Sequence, residues 1–117
     1  MAGRLTTHVL DTVTGRPMEG IPIRLARLGR TAAVLSEAVT NADGRCDAPL
    51  LEGAAFVPGL YELTFRVATY FAREGKPPDG LPFLDEIVLR FGVNAPGQHY
   101  HVPLLVSPHA YSTYRGS

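Results

Sequence analysis

The chain has 117 residues, eleven basic and eleven acidic, so its formal net charge is zero. That length suits one domain spanning residues 1–117 with a core of its own, and the charge balance argues against nucleic acid or an anionic membrane as the main partner. A single cysteine, Cys46, excludes an internal disulfide framework and a cysteine-rich zinc site.

No stretch approaches the ~20 apolar residues of a membrane span. The segment Met1 to His8 lacks the apolar run of a secretory signal, and the expectation is a soluble protein of the cytoplasm. Twelve glycines and ten prolines, set between short apolar runs, predict an all-β fold with many turns.

In chain order, Leu5 to Thr12 reads as the first strand. Leu5, Thr7 and Val9 share one face, while Thr6, His8 and Leu10 share the other. Asp11 to Met18 is a connection, because Thr14-Gly15 supplies turn chemistry and Pro17 has no N–H for a ladder. Ile21 to Leu28 alternates as a second strand, and Thr31 to Thr40 follows as a third. Asn41 to Arg45 is a tight turn with the hairpin pair Asp43-Gly44, which holds Arg45 close to the ladder. A short strand over Cys46 to Leu51 and a loop over Glu52 to Pro58 come next.

Gly59 to Val67 shows the clearest alternation: Tyr61, Leu63, Phe65 and Val67 form a fully apolar face. Thr69 to Gly75 predicts about two helical turns, too short to persist without packing. Lys76 to Pro82 reads as loop, Leu84 to Val93 as strand, and Asn94 to Gly97 as a turn. The last nineteen residues read as two strands joined at Ser107-Pro108. In the first of these, Tyr100, Val102, Leu104 and Val106 make a core face, and His99, His101, Pro103 and Leu105 the other. Two imidazoles beside two apolar side chains make a poor solvent face, and a partner subunit is the simplest cover. About eight strands, one short helix and no linker give a β-sandwich.

Three histidines on strand faces, His8, His99 and His101, are the candidates for chemistry. His-x-His on a strand is a common pair of zinc ligands but needs a third ligand, and no carboxylate is evident on that face. Acid–base catalysis is a second reading, since imidazole takes up and releases protons near neutral pH. An arginine in the same pocket, such as Arg45, would anchor a planar anionic substrate. Histidines filling a polar seam between subunits are the third. Cys46 reads as a small filler, and His109 has no evident role. No Gly-x-Ser-x-Gly, phosphate loop or paired-carboxylate motif supports serine hydrolase or nucleotide chemistry.

Four segments carry a resemblance over essentially the whole chain. They are Thr7 to Thr12 with Gly15-Arg16-Pro17, Asn41 to Arg45, His99 to Leu105, and Tyr111 to Ser117. Together they resemble the 5-hydroxyisourate hydrolases, transthyretin-like proteins of purine catabolism. The terminal Tyr114-Arg115-Gly116-Ser117 separates those hydrolases from the thyroid-hormone carriers. The resemblance implies a transthyretin-like sandwich of two four-stranded sheets, assembled as a homotetramer (a dimer of dimers). It implies cyclic amide hydrolysis without cofactor or metal. His8, Arg45 and His101 would be catalytic. His8, Arg45, Tyr114, Arg115, Gly116 and Ser117 would bind substrate. The rival is a small-ligand carrier using the same channel, which has no need of His8, Arg45, His101 or the terminal tetrapeptide.

Overall fold

The computed structural model describes residues 3–74 and 80–117. Its strands in chain order are β1 (Arg4–Asp11), β2 (Arg16–Pro17), β3 (Pro22–Leu28), β4 (Ala33–Val39) and β5 (Leu51–Glu52). After a 3-10 turn over Gly53–Ala55 come β6 (Gly59–Arg66), helix α1 (Ala68–Glu74), β7 (Glu86–Val93), β8 (Tyr100–Val106) and β9 (Tyr111–Thr113). The predicted stop at Gly75 and the residues 76–79 of the predicted loop lie outside the described residues. No described helix is long and apolar enough to cross a membrane.

Two sheets face each other. One is the four-stranded β4-β3-β6-β7, antiparallel throughout. The other runs β2-β1-β8-β9, with β5 also pairing β1, so it holds five strands rather than four. The strand beyond the expected eight is β2: Arg16 and Pro17, in the stretch read as a connection, pair Asp11 and Leu10, with Pro17 at the sheet edge where its missing N–H is tolerated. Of the strand expected over Cys46 to Leu51, only Leu51 joins the ladder, together with Glu52. Pro49 has no N–H to offer there, and the chain reaches β1 instead through single contacts.

The alternation read from sequence decides what is buried. Leu5 and Val9 of β1, Leu104 and Val106 of β8, and Tyr61, Leu63 and Phe65 of β6 are fully buried between the sheets. Complete burial of one such side chain contributes about 1.5–3 kcal/mol. Among the described residues, every buried side-chain polar atom has a partner. Asp11, for example, accepts the Val13 N–H at 2.8 Å and the Tyr70 hydroxyl at 3.0 Å.

The pairing that positions the site is β1 with β8. These strands run parallel, with Thr6 beside His101 and His8 beside Pro103. The opposite edge of β1 takes three partners in succession. Glu52 and Leu51 of β5 pair Arg4 and Leu5, Arg45 bridges to His8, and β2 pairs Leu10 and Asp11.

Candidate active site

Arg45 reaches β1 because of the turn before it. Gly44 has φ +73°, a left-handed conformation that costs a glycine nothing. Its carbonyl accepts the Val9 N–H at 2.8 Å, while Asn41 Oδ1 accepts the Asp43 N–H at 2.9 Å. The turn thus docks on the edge of β1, and Arg45 forms the antiparallel bridge to His8.

The chain end docks in the same way on β8. Gly116 bridges to His101 through two backbone hydrogen bonds, with Gly116 N–H donating at 2.7 Å and His101 N–H at 3.1 Å. Close packing explains the glycine: a Cβ on Gly116 would stand 3.3 Å from His101 Cβ and 3.4 Å from its Cδ2.

Between these two docked segments lies a cavity of about 480 Å³. Arg45, Cys46, His99, His101, Thr6 and Ser117 are among its lining residues. The geometry therefore gathers residues from four separate stretches of sequence. His8 adjoins the cavity through its bridge to Arg45 and is near enough to His101 to affect its proton affinity. Tyr114 and Arg115 do not line it; their side chains lie along a separate groove beside Tyr100 and Phe91. There the Arg115 guanidinium sits 4.2 Å from the centre of the Tyr100 ring and donates to Gln98 Oε1 at 3.0 Å.

Electrostatics favour neutral imidazoles. Burial, then the Arg45 guanidinium, hold His8 below the usual 6.5, although its hydrogen bond to the Asp43 backbone pulls the other way. Burial, Arg45 and then His8 lower His101 in the same sense. Both rings thus retain a lone pair at neutral pH. Burial and then Asp47 raise the Cys46 thiol, which lines the cavity as a neutral group rather than a thiolate. Among the described residues, no three His, Cys, Asp or Glu side chains are grouped to hold a metal ion.

Sequence reasoning passed over Thr6, whose Oγ1 lies 2.9 Å from His101 Nδ1. Alternation had put Thr6 on the face of His8, but the partner of that face depends on a pairing between residues 95 positions apart.

The family model for the HIUase/transthyretin family matches residues 5–116. The chain belongs to the HIUase/transthyretin family. Within it, the chain is 51% identical to the 5-hydroxyisourate hydrolase of Pseudomonas aeruginosa, covering 98% of this chain and 92% of that one. It is 56% identical to 5-hydroxyisourate hydrolase 2 of Rhizobium meliloti, over 99% of this chain and 98% of the relative. Among solved structures, (S)-allantoin synthase superposes with a TM-score of 0.93 at 52% identity. That alignment covers 99% of this chain but 44% of the longer one, so this chain spans less than half of that protein. The 5-hydroxyisourate hydrolase of Klebsiella pneumoniae aligns at a TM-score of 0.79 with 36% identity, over 98% of this chain and 99% of that one. Transthyretin from Sparus aurata, 24% identical with a TM-score of 0.84 over 97% of this chain and 96% of that one, shares the family fold.

Proposed function

We propose that this chain hydrolyses 5-hydroxyisourate, opening its ring to give 2-oxo-4-hydroxy-4-carboxy-5-ureidoimidazoline. The observation that carries the reading is the meeting of Arg45 and His101 at one cavity, with His8 bridged to Arg45 beside it. Relatives more than half identical over nearly the full chain carry the hydrolase name.

In the proposed reaction His101 and His8 manage the protons of one water. The water oxygen adds to the ring carbonyl carbon as a neutral imidazole takes its proton. The carbon–nitrogen bond then breaks, and the departing ring nitrogen receives a proton. One water is consumed, and no oxidant or reductant is needed. Positioned proton transfer of this kind is worth about 10²–10⁴ in rate. Arg45, whose fork of donors suits a planar, electron-rich oxygen pair, binds the substrate and polarises the carbonyl.

The terminal tetrapeptide completes the pocket in two ways. Gly116 and Ser117 form its rim, Gly116 by its backbone and Ser117 by lining the cavity. Arg115 holds that rim in place by stacking on Tyr100 and donating to Gln98 Oε1, and Tyr114, exposed in the single chain, is proposed to meet substrate at the assembled site. The proposal includes a homotetramer, a dimer of dimers in which neighbouring subunits cover the face carrying His101 and Leu105. Both residues are only half-buried in one chain, and Tyr111 and Tyr114 stand exposed near that edge. Light scattering after gel filtration tests it, with a mass near one subunit as the contrary result. A cytoplasmic location is also proposed, and recovery in a membrane pellet would contradict it.

The activity is tested by generating 5-hydroxyisourate with urate oxidase and following its ultraviolet absorbance. Decay faster than the spontaneous rate, in proportion to added protein, is the expected result. A decay rate independent of the protein would refute the reading.

A further inference from the structure

Thr6 and His101 occupy register-paired positions on β1 and β8, and their side chains meet on the cavity face. Thr6 Oγ1 stands 2.9 Å from His101 Nδ1, in a half-buried contact. Gly116 packs close against the other flank of the imidazole, where even an added Cβ would stand 3.4 Å from His101 Cδ2. The backbone of His101 is fixed as well, paired to β1 on one side and bridged to Gly116 on the other. With Nδ1 engaged by Thr6, the nitrogen left for chemistry in the cavity is Nε2.

A hydroxyl differs from a carboxylate as a partner for imidazole. It can donate or accept, and it adds no negative charge that would raise the proton affinity of the ring. Which way it acts follows from the work required of Nε2. A ring that takes a proton from water needs a bare Nε2, and therefore a hydrogen on Nδ1. After proton uptake the same Nδ1–H remains donated to the hydroxyl, so the partner need not reorganise during the step.

We propose that Thr6 is a positioning residue: its hydroxyl accepts the Nδ1–H of His101, fixing the tautomer and ring orientation that present Nε2 to the water. The inference rests on the hydrolase reading above. The balance is simple: the water O–H bond breaks, an N–H bond forms at Nε2, and the oxygen bonds to the substrate carbon, while Thr6 keeps its own proton.

Two readouts test it on the full-length protein. In the first, Thr6→Val retains shape but removes the acceptor, and Thr6→Ser restores it. Loss of a partner that orients a histidine typically costs about tenfold to a hundredfold where such partners have been removed from metal-bound imidazoles. A fall of that order in kcat, with KM within about twofold and recovery in Thr6→Ser, is the expected pattern. In the second, nitrogen NMR of histidine-labelled protein at neutral pH reports which nitrogen of His101 carries hydrogen. Wild type should show Nδ1–H, and Thr6→Val a mixture of tautomers. An unchanged kcat in Thr6→Val, or an unprotonated Nδ1 in wild type, overturns the proposal. Failure of the wild type to accelerate decay would sink the hydrolase reading instead, and the tautomer measurement would still judge Thr6.

Discussion

Replacing Gly44 by alanine tests how the Asn41–Arg45 turn delivers Arg45 to His8. A Cβ at position 44 would lie 2.5 Å from the Val9 carbonyl oxygen, 3.1 Å from Pro17 Cβ and 3.2 Å from the Met18 nitrogen. Two of those neighbours are backbone atoms, so relief requires the turn to lift away from β1. A left-handed conformation costs a non-glycine residue roughly 1–2 kcal/mol. Lifting the turn also loosens the hydrogen bond from Val9 N–H to the Gly44 carbonyl, worth about 1 kcal/mol net. Gly44→Ala should therefore lose about 2–3 kcal/mol in urea unfolding at fixed protein concentration. Catalysis should suffer in addition, because Arg45 retreats with the turn: hydrolysis of 5-hydroxyisourate by the fraction still folded should fall at least about tenfold. Wild-type stability together with wild-type kcat/KM would refute the reasoning that this turn positions the arginine.

Other outcomes follow from the same geometry. Arg45 is exposed in the single chain, so Arg45→Ala should leave the unfolding midpoint nearly unchanged. Loss of its charge-assisted contacts, worth about 1.5–3 kcal/mol, should lower kcat/KM by roughly 10- to 150-fold in the same decay assay. The two histidines predict a direction with pH. Burial first, and Arg45 second, hold both below 6.5, so just below that pH the unfolded chain binds more protons than the folded one. Their contribution to stability is complete above 6.5 and lost as pH falls toward their folded-state values, so the urea midpoint should decline on acidification. Arg45→Gln should move the acid limb of kcat/KM upward by removing one cause of the depression; a limb that stays put or moves down would contradict this. A tag fused after Ser117 should reduce activity more than one before Met1, because Gly116 and Ser117 are built into the site; equal rates for the two fusions would count against that placement.

Much of the fold could be read from side-chain periodicity. The alternation of Gly59 to Val67 and of Tyr100 to Val106 picked out the core faces, Tyr61, Leu63, Phe65 and Val67 on one strand and Tyr100, Val102, Leu104 and Val106 on the other, all buried. The opposite faces are mixed, with Thr64 and Pro103 buried and His101 and Leu105 half-buried. The strand expected over Cys46 to Leu51 shrank to Leu51 and Glu52. Apolar content alone had suggested it, and it takes no account of where Pro49 breaks a ladder. The site was legible as a set of residue types, His8, Arg45 and His101, helped by a family resemblance. Its construction was not. The parallel contact of β1 with β8 joins residues 95 apart, and no local pattern in either strand specifies that register. Thr6 went unnoticed for that reason. The terminal tetrapeptide read as one rim, whereas its side chains divide: Ser117 lines the cavity while Arg115 lies over Tyr100 on the other side.

The most direct test of the account is the rate of 5-hydroxyisourate loss with His101→Asn. Asparagine can still offer an N–H toward Thr6 but has nothing in the place of Nε2, so the fold around Gly116 should survive while the base is removed. Native unfolding in urea and a fall in kcat of about 10²-fold or more are expected. A variant that unfolds like wild type and hydrolyses at the wild-type rate would contradict this.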